Sequence, residues 1–390
     1  MAIVNRIAEF HDDLIQWRRD IHAHPETAFE EKRTSDIVAE KLGEFGIDVH
    51  RGLAGTGVVG TLKGDRGDGP SIGLRADLDA LDILEKNEFD HKSTIPGKMH
   101  ACGHDGHTIM LLGAARYLAE TRNFAGTVNF IFQPAEENEG GARVMIEEGL
   151  FEKFPVEAVF GMHNMPGLGL GEMAVRAGPF MAAFDIFEVN ITGRGTHAAA
   201  PHLGVDPIVA AAQMVTAFQT IASREVDPQD SVVVSVTQLH GGDTWNVIPE
   251  DVVVRGTVRA FRGETQDHAE ASIRRIVEGI CQAAGVTAEI DYQRRYPPTI
   301  NTPEEADFTA SVMADVVGAE NVFRDKPPKM ASEDFAFMLN EKPGAYVWLG
   351  NGPGEGGCLL HNPSYDFNDD ALPLGASYWA RLVETRLAAG

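Results

Sequence analysis

The sequence predicts an α/β protein interrupted by a smaller inserted domain of β-α-β-β-α-β order. Three observations carry that prediction. Strand-like and helix-like patterns alternate through the first half, as in a mainly parallel or mixed sheet covered by helices. Residues 185–295 break the alternation with two strands in succession, giving the ferredoxin-like order. The chain has 390 residues, beyond the roughly 250–300 at which one hydrophobic core usually stops growing. The expected division is a discontinuous domain of residues 1–184 and 296–390, with residues 185–295 inserted.

The elements follow in order. Residues 34–45 (TSDIVAEKLGEF) begin with Thr and Ser, carry apolar residues at helical spacing and stop at Gly46. Short apolar runs read as buried strands: VVGTL at 58–62, SIGLRADL at 71–78, GTVNFIF at 126–132 and AVFGMH at 158–163. Residues 108–120 (TIMLLGAARYLAE) read as a buried helix, preceded by the loop HACGHDGH at 100–107. In the insert, DIFEVNITG, SVVVSVTQLHGG, EDVVVRGTVRAF and VTAEIDYQRRY read as strands, and DPIVAAAQMVTAFQTIASR and ETQDHAEASIRRIVEGICQAAG as helices. Turn signals bound it, AGPFMAA before and YPPTINTP after.

The charge narrows the function. A formal net charge of −25 repels phosphate backbones and argues against a nucleic-acid partner. No run approaches the roughly 20 apolar residues of a membrane span. The N-terminal MAIVNRIAEFHDD lacks an apolar signal core, so a cytoplasmic location is expected. Three cysteines, Cys102, Cys281 and Cys358, make no disulfide framework. A thiol among histidines in a reducing compartment reads as a metal ligand or a nucleophile.

Chemistry-bearing residues stand where the predicted strands end, which is where open α/β sheets build their sites. SIGL runs into Arg75, Asp77 and Asp79; GTVNFIFQPA into Glu136 and Glu137; AVFGM into His163 and Asn164. AYVWLGNG leads through a glycine-rich loop to His361. Between them lies Cys102-Gly-His104, a thiolate and an imidazole of the kind that bind zinc and similar metals. Adjacent carboxylates leaving a strand end point in different directions, so one can bind a cation and the other can face water. Singly, each signature reads as structural, and for His22, His24, His91 and His107 that reading stands. Cys358, three residues before His361, competes with Cys102 as the thiolate.

Together the motifs resemble the aminoacylase and carboxypeptidase G superfamily of dinuclear metallohydrolases, in particular its hippurate hydrolase and auxin-conjugate hydrolase branch. Nine ordered motifs carry the resemblance nearly end to end: WRRDIHAHPETAFEE, GLRADLDAL, MHACGHDGHT, FQPAEENEGGA, GMHN, GRGTHAAAPH, NVIPEDVVVRGTVR, SEDFAFML and LHNPSYDFND. It implies a zinc-exopeptidase-like catalytic domain whose insert is a lid and dimerisation domain, in a homodimer or homotetramer. It implies two divalent cations, Zn²⁺ or Mn²⁺ with Ni²⁺ and Co²⁺ admitted, on Cys102, His104, Glu137, His163 and His361, and Glu136 as general base. Most of the superfamily has His-x-Asp where this chain has Arg75-Ala76-Asp77. Arginine cannot bind a cation, so the Cys102/His104 pair looks like the replacement and Asp77 is expected to orient a ligand from behind. His197 is implied to reach a partner subunit's site and stabilise an oxyanion, and Asn246 and Arg259 to meet the substrate's carboxylate. The implied reaction is amide hydrolysis of an N-acyl amino acid. A dipeptidase or carboxypeptidase on the same scaffold, a non-catalytic binding protein and a Cys102 nucleophile are the alternatives.

Overall fold

The computed structural model describes residues 2–137, 139–353 and 359–388, and Cys358 lies outside them. It divides into two compact units, one of Met1–Phe180, Ile300–Pro327 and Asp334–Gly390, the other of Met181–Thr299 and Pro328–Glu333. The short return segment at 328–333 carries no periodic signal in the sequence.

The first unit is built on an eight-stranded mixed sheet. Its order is Asp48–Leu53, Gly57–Lys63, Thr127–Gln133, Ser71–Asp77, Ala158–Met165, Gly344–Gly350, Met173–Ala174 and Val322–Phe323. The four central strands, from Thr127–Gln133 to Gly344–Gly350, run parallel. They are almost wholly buried, which explains why they read as continuous apolar runs rather than alternating ones. Strand register decides where the chemistry goes. Asp77 pairs with Gln133 and Arg75 with Gly161, so Asp77, Gln133 and His163 fall on one row near the carboxyl edge. The helix His104–Thr121 packs between this sheet and neighbouring helices, so that the consecutive residues Ile109, Met110, Leu111 and Leu112 are all fully buried.

That helix starts earlier than the sequence suggests. HACGHDGH reads as a loop to residue 107, yet helical structure begins at His104. Gly103 takes φ +89, a left-handed conformation that turns the chain into the helix. Among the described residues no side chain caps that end, so the usual Ser/Thr/Asp/Asn signal is missing. His104 therefore stands on a rigid first turn.

The second unit carries a four-stranded antiparallel sheet in the order Val232–His240, Asp251–Ala260, Phe184–Thr192, Thr287–Tyr296. Its helices, Pro207–Thr220 and Gly263–Ala284, bury Met214, Phe218, Ile273 and Val277 against Val189, Val252 and Val254. This is the ferredoxin-like arrangement. Asp206 caps the first helix by accepting the Ile208 and Val209 N–H groups, with Pro207 at the first helical position. Among the described residues no helix is long and apolar enough to cross a membrane.

Candidate metal centre

Five sequence-predicted donors meet at the carboxyl edge of the first unit's sheet. Ligand atoms of Cys102, His104 and His163 lie within 4.8 Å of one another, and so do those of Cys102, Glu137 and His361. A third group joins His104, Glu136 and Glu137. Cys102 thus belongs to two overlapping groups. Cys102, His104 and His163 are buried and His361 is about half exposed.

Hydrogen bonds aim the imidazoles. The Nδ1–H of His104 donates to the Asp79 carbonyl at 2.9 Å, and that of His163 to the Asn164 carbonyl at 2.6 Å. A carbonyl can only accept, so in each neutral ring Nε2 carries the free lone pair. His163 Nε2 stands 3.4 Å from Cys102 Sγ. Among the described residues, His104 Nε2 and Glu137 Oε1 are buried with no hydrogen-bond partner, although Glu137 Oε1 lies 3.1 Å from His361 Nε2. Buried polar atoms left in this way are costly, and a cation at their meeting point would satisfy them.

The local charges argue the same way. Burial pushes the Cys102 thiol well up, and the charges of Glu137, Glu136 and Asp77 push it further. A thiolate forms here only if positive charge arrives with it. Burial alone would lower the His104 pKa, but Asp77, Asp79 and Glu137 outweigh it and raise it to about 10. His163 goes the other way: burial and neighbouring His107 hold it well below the usual imidazole range, hence neutral. The donor set therefore fits divalent cations with mixed S, N and O preferences.

Asp77 lies behind the centre, completely buried. It accepts the Nδ1–H of His107 at 2.7 Å and a guanidinium N–H of Arg75 at 2.7 Å. His107 Nε2 in turn accepts the Asn164 backbone N–H at 2.9 Å, and Asn164 Nδ2 donates to the Cys102 carbonyl at 2.6 Å. Asp77 thereby acts on the Cys102 backbone through two residues. Its Oδ2 is 3.8 Å from His104 Nε2, while the carboxylate that bonds His104 is that of Asp79, at 3.2 Å. Asp79 also accepts the Glu137 backbone N–H at 2.9 Å. The sequence assigns Asp79 no role, and only the packing of the helix onto the strand end brings it to His104. Gly103 is fixed by the same cluster, since a Cβ there would stand 2.3 Å from Asn164 Nδ2 and 2.6 Å from Tyr365 Oη.

His22 and His107, read as structural, are held between buried partners: His22 against Asp105 and Glu85, His107 against Asp77 and Asn164. His91 meets Asp366, and His24 lies on the Asp20 carbonyl.

The three predicted residues of the second unit do not form one group. His197 is exposed, and its short strand pairs with Val247 while Ala198 N–H donates to the Asn246 carbonyl, which sets His197 beside Asn246. Arg259 lies at the other end of the Asp251–Ala260 strand, stacked over Phe184 at 4.0 Å and donating to Ser332 Oγ. Eight residues of strand between Asp251 and Arg259 span about 26 Å at ~3.3 Å each.

A mixed sheet with a largely buried cluster of thiol, imidazole and paired acids at the carboxyl edge of its parallel strands is the arrangement of a metal-dependent hydrolase. Comparison with known proteins makes the class specific. Residues 73–385 match the model of peptidase family M20/M25/M40, and the chain belongs to that family. It is 44% identical over 383 residues to the hippurate hydrolase of Campylobacter jejuni, covering 98% of this chain and 99% of that one. It is 42% identical over 384 residues to IAA-amino acid hydrolase ILR1-like 2 of Arabidopsis thaliana, covering 96% and 85%. The solved structure of the Bacillus subtilis YXEP protein, described as a dinuclear metal-binding peptidase of the M20 family, superposes with a TM-score of 0.84 at 35% identity, covering 98% of this chain and all of that one.

Proposed function

We propose that this chain hydrolyses the amide bond of N-acyl amino acids, with two divalent cations held by Cys102, His104, Glu137, His163 and His361. The observation that carries the reading is the convergence of these donors beside Glu136 in a chain 44% identical to a hippurate hydrolase from end to end. When bound, the cations supply Lewis acidity that polarises the acyl carbonyl and acidifies water. Glu136, 6% exposed, takes the proton of the attacking water and returns it to the leaving nitrogen. Asp77 and Asp79 position the ligands from behind, Asp77 through His107 and Asn164, Asp79 directly on His104 and Glu137. Zn²⁺ or Mn²⁺ suits the mixed donors, and Ni²⁺ and Co²⁺ are admitted by the same chemistry.

The inserted unit acts as lid and dimerisation domain. His197 supplies the oxyanion donor to a partner subunit's site, Arg259 clamps the amino-acid carboxylate, and Asn246 assists. The length of strand from Asp251 to Arg259 supports this assignment, because it separates Arg259 from the end of the sheet near His197 and Asn246, so that they serve different sites. An exposed apolar group in this unit, Leu203, Ile208, Val209, Leu239, Trp245 and Val247, with Trp245 fully exposed, supports self-association as a homodimer or a pair of dimers. A cytoplasmic location suits the free thiol of Cys102.

The test is a hydrolysis panel on metal-defined protein: hippurate, N-acetyl amino acids and dipeptides. N-acyl amino acids should be cleaved after loading, not after chelation, and faster than dipeptides. Faster dipeptide cleavage would favour a dipeptidase, and metal-independent turnover blocked by thiol alkylation would favour a Cys102 nucleophile.

A further inference from the structure

The segment HPETAFEE belongs to none of the roles assigned so far, yet its last residue is completely buried. Glu31 is 0% exposed and lies 104 residues from the loop it touches. Its Oε1 accepts two backbone N–H groups, from Phe29 at 3.0 Å and from Ala135 at 2.9 Å. Its Oε2 accepts the Thr56 hydroxyl at 2.7 Å.

The two amide donors share an unusual property. Among the described residues only Phe29, Ala54, Arg122, Ala135 and His361 take a left-handed backbone without being glycine. Phe29 has φ 62 and Ala135 has φ 55, and both bond the same carboxylate oxygen. Thr56, its third partner, follows left-handed Ala54 by two residues. A left-handed non-glycine residue persists only where its surroundings over-determine it, and Glu31 does so here for two separate loops. Burying a carboxylate among neutral donors is unfavourable in itself. Burial, with the charge of Asp79, raises the Glu31 pKa to about 7. A residue that serves stability alone has cheaper alternatives.

The location gives the reason. Ala135 is the bend between the strand Thr127–Gln133 and the pair Glu136–Glu137. Three buried carboxylates from distant sequence hold the backbone on and around it: Glu31 takes Ala135 N–H, Asp79 takes Glu137 N–H, and Asp334 takes Ala142 N–H at 2.9 Å. Asp79 also meets a proposed metal ligand; Glu31 meets none, and the residue after its bend is Glu136.

We infer that Glu31 is a positioning residue for Glu136, holding Ala135 in the strained conformation that sets where the general base stands. The inference rests on the reading of Glu136 as general base. In metal-loaded full-length protein assayed on an N-acyl amino acid, Glu31→Ala should lower kcat about 10- to 100-fold, the scale of a misplacement near 1 Å. KM and metal content should hold within about twofold, the pattern of a loss felt only in the transition state. Glu31→Gln should recover most of kcat, because the amide oxygen accepts both N–H groups and its NH₂ donates to Thr56. Adding Ala135→Gly to Glu31→Ala should also recover most of it, since glycine adopts φ near +55 without strain.

An undiminished kcat in Glu31→Ala, or a loss that neither Gln nor the glycine restores, overturns the inference. Should Glu31→Ala not accumulate as folded protein, Glu31→Asp with and without Ala135→Gly is read by the same criteria. Glu136→Gln in parallel separates the two levels. Full turnover there removes the general-base reading itself, whereas lost turnover there with normal Glu31 variants removes only Glu31.

Discussion

The two units treat their polar residues in opposite ways. In the first, Cys102, His104, Glu136 and His163 are buried, and the imidazoles, the Glu136–Glu137 turn and the Cys102 carbonyl are each held by a further hydrogen bond from behind. In the second, His197 stands exposed on a two-residue strand pair and Asn246 in the turn just before it, held by little beyond backbone bonds. A buried, hydrogen-bonded cluster is organised before substrate arrives. Exposed residues on a thin ladder gain their environment only when something docks on them. The comparison teaches that the first unit holds its chemistry ready-made, whereas His197 and Asn246 face solvent and take part in catalysis only if, as proposed, a second subunit's site meets them.

Four experiments break or sharpen that contrast. Glu136→Gln should lower kcat about 10²- to 10⁴-fold, the range of general acid–base catalysis, with metal content unchanged by elemental analysis; turnover near wild type removes Glu136 from its role. His197→Ala should cost about 10²- to 10³-fold in kcat, the scale of one oxyanion donor. If the donor comes from a partner, mixing the inactive His197→Ala and Glu136→Gln proteins and allowing subunit exchange should regenerate activity, because one site of each mixed dimer is complete. Asp79→Asn should weaken metal binding about 10- to 100-fold, as loss of a residue orienting a ligand does, measured by competition with a chromogenic chelator; unaltered affinity would contradict the geometry at His104.

The smallest effect is on stability with pH. Burial alone would lower the His22 pKa, but its bonds to Asp105 and Glu85 raise it from 6.5 to about 9. A pKa raised on folding contributes stability that is complete below about 6.5 and disappears as pH climbs through about 9. Thermal melts should therefore show a Tm decline across that window which His22→Gln flattens. Parallel declines in both proteins would remove His22 as its source.

Much of this was legible in the sequence, for physical reasons particular to each part. The central strands announced themselves as unbroken apolar runs because parallel sheets bury both faces. Glu136 and Glu137 stood just after one such run and His163 at the end of another, because strand ends are where side chains leave the sheet, while Cys102, His104 and His361 were marked only by their motifs. What stayed hidden depends on contacts across long sequence separations. Nothing local in AFEE says that Glu31 will hold Ala135, 104 residues away. Nothing local in RADLDAL says that Asp79, rather than Asp77, bonds His104, since both acids leave the same strand and only the packed helix distinguishes them. The helix start at His104 was missed because Gly103 turns the chain through a left-handed conformation and leaves no capping side chain to read. The 328–333 segment of the second unit has no pattern at all; packing alone assigns it.

The central claim is that five scattered donors hold two cations beside Glu136. Anomalous diffraction from crystals of the full chain loaded with Zn²⁺ or Mn²⁺, collected across the metal's absorption edge, tests it most directly. The account predicts two peaks per chain, enclosed by Cys102, His104, Glu137, His163 and His361. Peaks elsewhere, or none at saturating metal, would contradict it.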